Sequence, residues 1–279
     1  MTAPLPFALS FGVSEQLIRL TGFLGVLATL MVIEVLAPRR RGAIGRWQRW
    51  RGNLAIVVLD TLLVRLVFPA AAIGVAVTAE VQGWGLLNIL ALPDWLTILV
   101  SLVALDLLIY AQHVAFHAVP LLWRVHRMHH SDPEIDVTTA LRFHPIEITL
   151  SLILKFAAIV ALGVPPLAVL IFEVVLNAAA MFNHSNVALP RALDRVLRWV
   201  IVTPDMHRVH HSIVARETNS NFGFNLPWWD RVFGSYCAQP AAGHEAMMIG
   251  LKEFRTIDDQ RIDQLMFQPL RQDTIRRGA

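Results

Sequence analysis

Eleven histidines occur in 279 residues, and most fall into short clusters whose spacing aims imidazoles at one place. The stretch from Asp106 to His130, DLLIYAQHVAFHAVPLLWRVHRMHH, holds five of them. On a helix, Asp106, Tyr110, His113 and His117 stand at i, i+4, i+7 and i+11, a single stripe along one face. His126, His129 and His130 follow at i, i+3 and i+4, and His207, His210 and His211 repeat that spacing in HRVHHS, a near copy of HRMHHS. Two matching triplets and a helical pair predict a site for two metal ions. Glu173, Asn177 and His184 form another polar stripe at i, i+4 and i+11. His144, in RFHP, is a further candidate ligand or a neighbour of the ligands, whereas His244 stands in a polar tail with no partner in its vicinity.

Neutral imidazole suits zinc, iron, copper and nickel, while magnesium and calcium prefer oxygen. The single cysteine, Cys237, excludes an intrachain disulfide and a thiolate cluster, so any metal is held by imidazole. No ExxH and no HExxH occurs, which excludes the carboxylate-rich di-iron pattern of soluble four-helix bundles and the zinc-protease motif. Two chemistries remain: oxidation at an imidazole-bound metal pair, and hydrolysis at a zinc pair. A bis-histidine haem carrier needs one histidine on each of two facing helices, not two HxxHH clusters. A metal transporter gathers its ligands near the membrane midplane. Ligating histidines give their second ring N–H to a carboxylate, carbonyl or water. Asp106, Tyr110, Glu173, Asn177, Asp205 and Asp230 are the candidate neighbours.

The elements that must position these residues are membrane helices. The chain is 55% hydrophobic and 16% charged, with a mean hydropathy of +0.53, the composition of an all-α, polytopic membrane bundle of about four or five spanning or hairpin helices. Residues 1–16 lack Lys and Arg, so the basic start of a cleavable signal peptide is missing and the first span, about Leu17 to Ala37, is expected to be retained. PRRRGAIGRWQRWRGN follows, with six arginines and no acid. The positive-inside rule makes this loop cytoplasmic, with Trp47 and Trp50 at headgroup level. A second span, about Leu54 to Val77, carries Asp60 and Arg65, expected to pair inside the bundle. Thr78 to Asp94 reads as an external loop, and the third span ends in the histidine stripe. Pro165 and Pro166 break the apolar run Ile146–Phe182 into a hairpin of two spans or a re-entrant pair. All histidine clusters then share the face of the arginine loop. The basic pI of 9.6 is explained by topology and anionic lipid, not by nucleic acid. Only Lys155 and Lys252 are lysines, a bias that hints at a GC-rich bacterial source; the expected location is then a bacterial inner membrane, with the metal site on its cytoplasmic side. The expected division is membrane helices over 1–94, a catalytic region over 95–240 and a cytoplasmic tail over 241–279.

The segments HVAFH, LWRVHRMHHSD, TTALRFHP, FNHSN, TPDMHRVHHS and NFGFNLPWWDRVFGSY, in that order over roughly residues 100–236, together resemble the fatty acid hydroxylase and sterol desaturase superfamily. The resemblance implies a membrane enzyme with two iron ions, using dioxygen to hydroxylate or desaturate a C–H bond of a lipid drawn from the bilayer. It carries the ligand role onto His113, His117, His126, His129, His130, His184, His207, His210 and His211. The chain departs from family members with two histidines in the third box, since Ala180 stands four residues before His184. No cytochrome domain is fused to it, so the resemblance implies a separate ferredoxin-like or cytochrome-like electron donor. Zinc remains compatible with the same imidazoles.

Overall fold

A computed structural model describes residues 14–271, apart from 43, 69, 70 and 91. The basic-free opening of the chain lies, up to residue 13, outside the described residues. Among the described residues the secondary structure is helical, with only isolated bridges, Pro38 to Val187 and Ser212 to Ile249. Five helical stretches are long and apolar enough to cross a membrane, so this is a multi-pass membrane protein.

The first, α1 (Glu15–Leu36), starts where the Ser14 side chain accepts from the Leu17 amide and ends just before Pro38. The second comprises α2 (Arg46–Val67) and α3 (Ala71–Val81). A short α4 (Leu86–Leu90) leads to α5 (Asp94–Ala118). The hairpin arms are α7 (Pro145–Leu162) and α8 (Pro166–His184). Leu17, Leu20, Leu24, Val32 and Leu36 of α1 are exposed, as expected of side chains facing lipid, which is as apolar as a protein core. The hairpin turns at Gly163, whose φ of +69° is the left-handed cap that glycine favours. A Cβ there would come 2.6 Å from the Trp84 carbonyl oxygen.

α8 is the central helix and touches α1, α3 and α5. Its Ala168, Val169 and Phe172 pack with Leu105 and Ile109 of α5, Ile159 of α7 and Ala72 and Ala76 of α3. One level up, Ala180 and Met181 meet Leu27 of α1 and a 3-10 turn, Val137–Leu141. These contacts bring the ends of α5 and α8 together.

A cap of short helices covers those ends: α6 (Pro120–His130), α9 (Arg191–Leu197), α10 (Pro204–His210), α11 (Ala215–Thr218), α12 (Trp228–Val232), α13 (Gly243–Ala246) and α14 (Ile262–Phe267). The segment 241–271, read from sequence as a tail, is packed into this cap. Leu265 is buried with Ile56 and Met128, and the Gln268 carbonyl accepts from Arg127.

Four expectations need correction. The second span begins at Arg46, not near Leu54, so the arginine loop is partly helical. Its arginines enter the protein: Arg49 is buried between Asp132 (2.6 Å) and Asp136 (2.7 Å), and Trp50 donates to Asp136 at 3.2 Å instead of anchoring at headgroups. Asp60 and Arg65 make no ion pair; five residues apart, they project about 140° from one another around the helix, and buried Asp60 Oδ1 has no hydrogen-bond partner. Much of the supposed external loop from Thr78 is the end of α3 and all of α4.

Candidate metal centre

Nine histidines meet where four helices end. His113 and His117 occupy the last turns of α5, His126, His129 and His130 close α6, His184 closes α8, and His207 and His210 lie on α10 with His211 as its cap. Pro120, Pro166 and Pro204 start three of these helices, because proline lacks the amide that a first turn leaves unused. All four direct their C-terminal ends at the cluster, and that end of a helix carries partial negative charge. The site therefore favours cations before any side chain is counted.

The imidazoles sort into two groups: His113, His117, His126, His130 and His210 in one, His129, His184, His207 and His211 in the other. Within each group the ligand nitrogens lie within 4.8 Å of one another. His117 Nε2 is 3.1 Å from His130 Nε2, His184 Nε2 is 3.1 Å from His129 Nε2 and 3.0 Å from His207 Nε2. Such separations suit neighbouring ligands on one ion with metal–nitrogen bonds of about 2.1 Å.

Five rings are turned by a bond to Nδ1. His113 donates to the Phe222 carbonyl (2.8 Å), His184 to the Ala180 carbonyl (2.7 Å) and His210 to the Ser220 carbonyl (2.7 Å). His117 meets Asn219 Oδ1 at 3.2 Å, and His126 meets Glu147 Oε1 at 2.7 Å. With the proton on Nδ1, the lone pair of Nε2 faces inward, the arrangement that prepares imidazole for a metal. The Nε2 atoms of His113, His126 and His210 are buried with no hydrogen-bond partner, as are both ring nitrogens of His211. Burial, then the neighbouring imidazoles, hold His129, His130, His207, His210 and His211 well below the ordinary histidine range, so these rings are neutral at pH 7. Buried, neutral nitrogens without partners are costly unless something binds them, and borderline metal cations fit this donor set.

The loop 219–224 supplies three of the orienting oxygens, and Asp230 holds it. Its carboxylate accepts from the amides of Phe222 (2.8 Å) and Gly223 (2.9 Å) and from Ser235 Oγ (2.7 Å). A side chain at Gly223 would come 2.8 Å from Asp230 Oδ2. Phe222 sets its ring against His113, His117 and His210 at 5.1–5.5 Å, and Phe143 stacks on His129 at 4.5 Å. These faces exclude water. Arg49, Asp132, Asn53 and Arg142 form a buried network beneath α6, with Arg142 Nε donating to the Met128 carbonyl at 2.8 Å.

Several residues singled out from sequence lie elsewhere. His144 is not brought to either group: it caps α7, Nδ1 accepting from the Ile146 amide (3.1 Å) while Nε2 meets the Met266 carbonyl at 3.2 Å. Asp106 accepts from Trp229 Nε1 at 2.7 Å and reaches no histidine, being about 10 Å along the helix from His113. Tyr110 bonds Ser235 Oγ at 2.9 Å. Glu173 pairs with Lys155 (2.8 Å) and Arg19, and Asn177 donates to the Glu173 carbonyl. Asp205 pairs with Arg208. Asp230 acts only through its loop. Glu147 was missed by sequence reading, although an acid three residues after His144 at the start of an apolar helix was a signal.

The fold and the site define a membrane-embedded, all-helical protein built to hold metal in two adjoining sets of imidazoles. A family model described as fatty acid hydroxylase matches residues 98–235, which include all nine histidines. The match covers just under half of the chain, which resembles that family over this stretch. It is similar to ornithine lipid hydroxylase OlsE of Rhizobium tropici, 30% identical over 78% of this chain and 66% of that protein. It is also similar to alkylglycerol monooxygenase of Xenopus tropicalis, 31% identical over 58% and 36%, and to cholesterol 25-hydroxylase of Rattus norvegicus, 29% identical over 51% and 47%. The chain thus spans just under two thirds of the first relative and between a third and a half of the other two. No solved structure matches it.

Proposed function

We propose that the protein is a non-haem di-iron oxidoreductase that hydroxylates a C–H bond of a membrane lipid, using dioxygen and electrons from a separate donor. The observation that carries this reading is the pair of adjoining all-imidazole groups at four helix C-termini. The hydroxylase and monooxygenase relatives support hydroxylation over desaturation. An iron pair held there would supply dioxygen activation and oxidation of an unactivated C–H bond.

The chain's own part is to hold, orient and dry the site. His113, His117, His126, His130 and His210 would hold one ion, and His129, His184, His207 and His211 the other. Glu147, Asn219 and the carbonyls of Ala180, Ser220 and Phe222 fix the rings. Phe143 and Phe222 keep water from the imidazole faces. Spanning helices that end at the site let an apolar substrate arrive laterally from the bilayer. A cavity of about 430 Å³ reaches His117 beside Trp123, whose ring lies 4.9 Å from it; this supports electron entry there from a ferredoxin-like or cytochrome-like donor.

The arginine loop supports a cytoplasmic placement of the site as part of this proposal. Arg39, Arg40 and Arg49 reach Asp205, the Met247 carbonyl and Asp132 of the cap, so loop and histidines share a side, which the positive-inside rule makes cytoplasmic in a bacterial inner membrane. The test is metal analysis and a visible spectrum of the detergent-purified protein, then turnover of a lipid panel with dioxygen and reductant. About two irons per chain without a Soret band, and product that needs dioxygen, are expected. Turnover without dioxygen at a zinc-loaded site would replace the reading with hydrolysis. His129→Ala and His210→Ala, one from each group, are expected to lose metal and turnover.

A further inference from the structure

On the far side of α10 from the histidines lies a second polar cavity, of about 1090 Å³. Five arginines line it: Arg39, Arg191, Arg195, Arg198 and Arg231. Three acids, Asp194, Asp205 and Glu245, share the lining, so the cavity keeps an excess of positive charge. The acids are engaged by a subset of the arginines. Arg39 pairs with Glu245 and stands 3.4 Å from Asp205, and Arg198 Nε stands 2.7 Å from Asp194. Arg191 and Arg195 are exposed, with no acidic partner among the described residues. Arg231 is fixed over the rings of Trp199 (4.5 Å) and Tyr236 (4.2 Å), which orders its guanidinium without neutralising it.

Two buried side chains on the cavity keep nitrogens without a hydrogen-bond partner. Arg198 is 5% exposed; its Nη1 donates to the Ala238 carbonyl at 2.7 Å, but Nη2 has no hydrogen-bond partner. His244 is 8% exposed and neither ring nitrogen makes a hydrogen bond, the nearest acid being Asp205 at 3.8 Å. Burial outweighs Asp205 and, with Arg208, Arg39 and Arg198 nearby, pushes this imidazole down to about 4. It is therefore a neutral ring in a positive field.

We propose that this cavity binds a phosphate group, carried by an anionic lipid headgroup or by a soluble phosphate. Guanidinium forks match phosphate oxygens in geometry and charge. The setting is that of a membrane surface. Arg39 comes three residues after the end of the first span. Over residues 191–200 two stripes run side by side: Arg191, Arg195 and Arg198 toward the cavity, and exposed Leu193, Val196 and Val200, with Trp199 beside them. A helix with an apolar stripe, an aromatic and arginines beside it suits the headgroup layer. A lipid lying with its chains along Leu193, Val196 and Val200 would place its phosphate among the arginines.

The test uses full-length protein in detergent, with binding read by native mass spectrometry and no requirement for metal or turnover. Dioleoyl phosphatidylglycerol and dioleoyl phosphatidylcholine compete at equal concentration, and inorganic phosphate is titrated separately. The wild type is expected to retain phosphatidylglycerol preferentially, and Arg191→Gln/Arg195→Gln to weaken that retention roughly 30-fold. Both positions are exposed, so the melting temperature should not move. The pair Arg216→Gln/Arg261→Gln removes the same charge elsewhere and should leave retention unchanged. If inorganic phosphate binds in the same arginine-dependent way while the lipid does not, the site takes a soluble phosphate. No preference for phosphatidylglycerol together with no phosphate binding overturns the proposal, as does binding that survives Arg191→Gln/Arg195→Gln.

Discussion

Among the described residues Glu147 is the one carboxylate on a histidine of the cluster, and replacing it separates orientation from ligation. It is 4% exposed and its Oε1 lies 2.7 Å from His126 Nδ1. Glu147→Ala leaves that nitrogen buried without an acceptor, so the ring loses the bond that turns Nε2 inward. Removing such a partner typically weakens metal affinity 10- to 100-fold, about 1.4 to 2.8 kcal/mol. His126 is one of five imidazoles in its group, and of the other four His113, His117 and His210 keep their own orienting bonds; Glu147→Gln, which keeps an acceptor, should fall near tenfold and Glu147→Ala nearer a hundredfold. The second group has no contact with Glu147 and should be unaffected. The assay loads ferrous iron anaerobically, titrates a competing chelator and counts metal per chain. In the variants one ion should leave at lower chelator concentration while the other leaves as in the wild type. Two ions held at wild-type strength would refute the orienting role of Glu147. Two ions weakened equally would refute the division into two sites.

Other outcomes follow from the same geometry. His144→Ala should keep full metal content, since both ring nitrogens are engaged at the start of α7, and should cost only about 1 kcal/mol as a lost cap; metal analysis beside a melting curve checks this. Asp132→Asn removes a buried partner of Arg49, 2.6 Å away, and should cost about 3–5 kcal/mol, read as a large fall in melting temperature with metal lost in consequence. Acidification should also weaken the metal-free protein. His129, His130, His207, His210 and His211 take protons near pH 6.5 when unfolded but only at lower pH in the fold, because of burial and one another. The unfolded chain therefore binds more protons below about pH 6.5, and stability, complete above that pH, falls by up to about 1.4 kcal/mol per pH unit for each ring. A melting temperature unchanged between pH 7.5 and pH 5.5 would contradict these burials.

Local pattern made much of the protein legible. The helical spans follow from runs of apolar residues, and the hairpin from Gly163, Pro165 and Pro166, because hydropathy and backbone restriction act over a few neighbours. The histidines stood out for the same reason, since 3.6-residue periodicity places i and i+4 on one face. What periodicity could not supply was the partners. The oxygens that orient His113, His117 and His210 come from residues 219–222, about a hundred positions away from the first two. Two of the three are backbone carbonyls, which no residue type announces.

The sequence alone determined that this is a membrane bundle with clustered histidines spaced to share a site; its spans and histidine spacings are local properties. Only the tertiary structure decided how the ligands are shared. Each HxxHH triplet is divided: His126 and His130 go to one group and His129 to the other, while His207 and His211 join His129 and His210 crosses over. The i, i+4 pairs stay together because they share a helix face, and the odd member points to the opposite group. Which face meets which group depends on how α6 and α10 pack against the ends of α5 and α8. That packing is set by the buried Arg49–Asp132 and Asp230 networks, joining residues too distant in sequence for any spacing rule to connect.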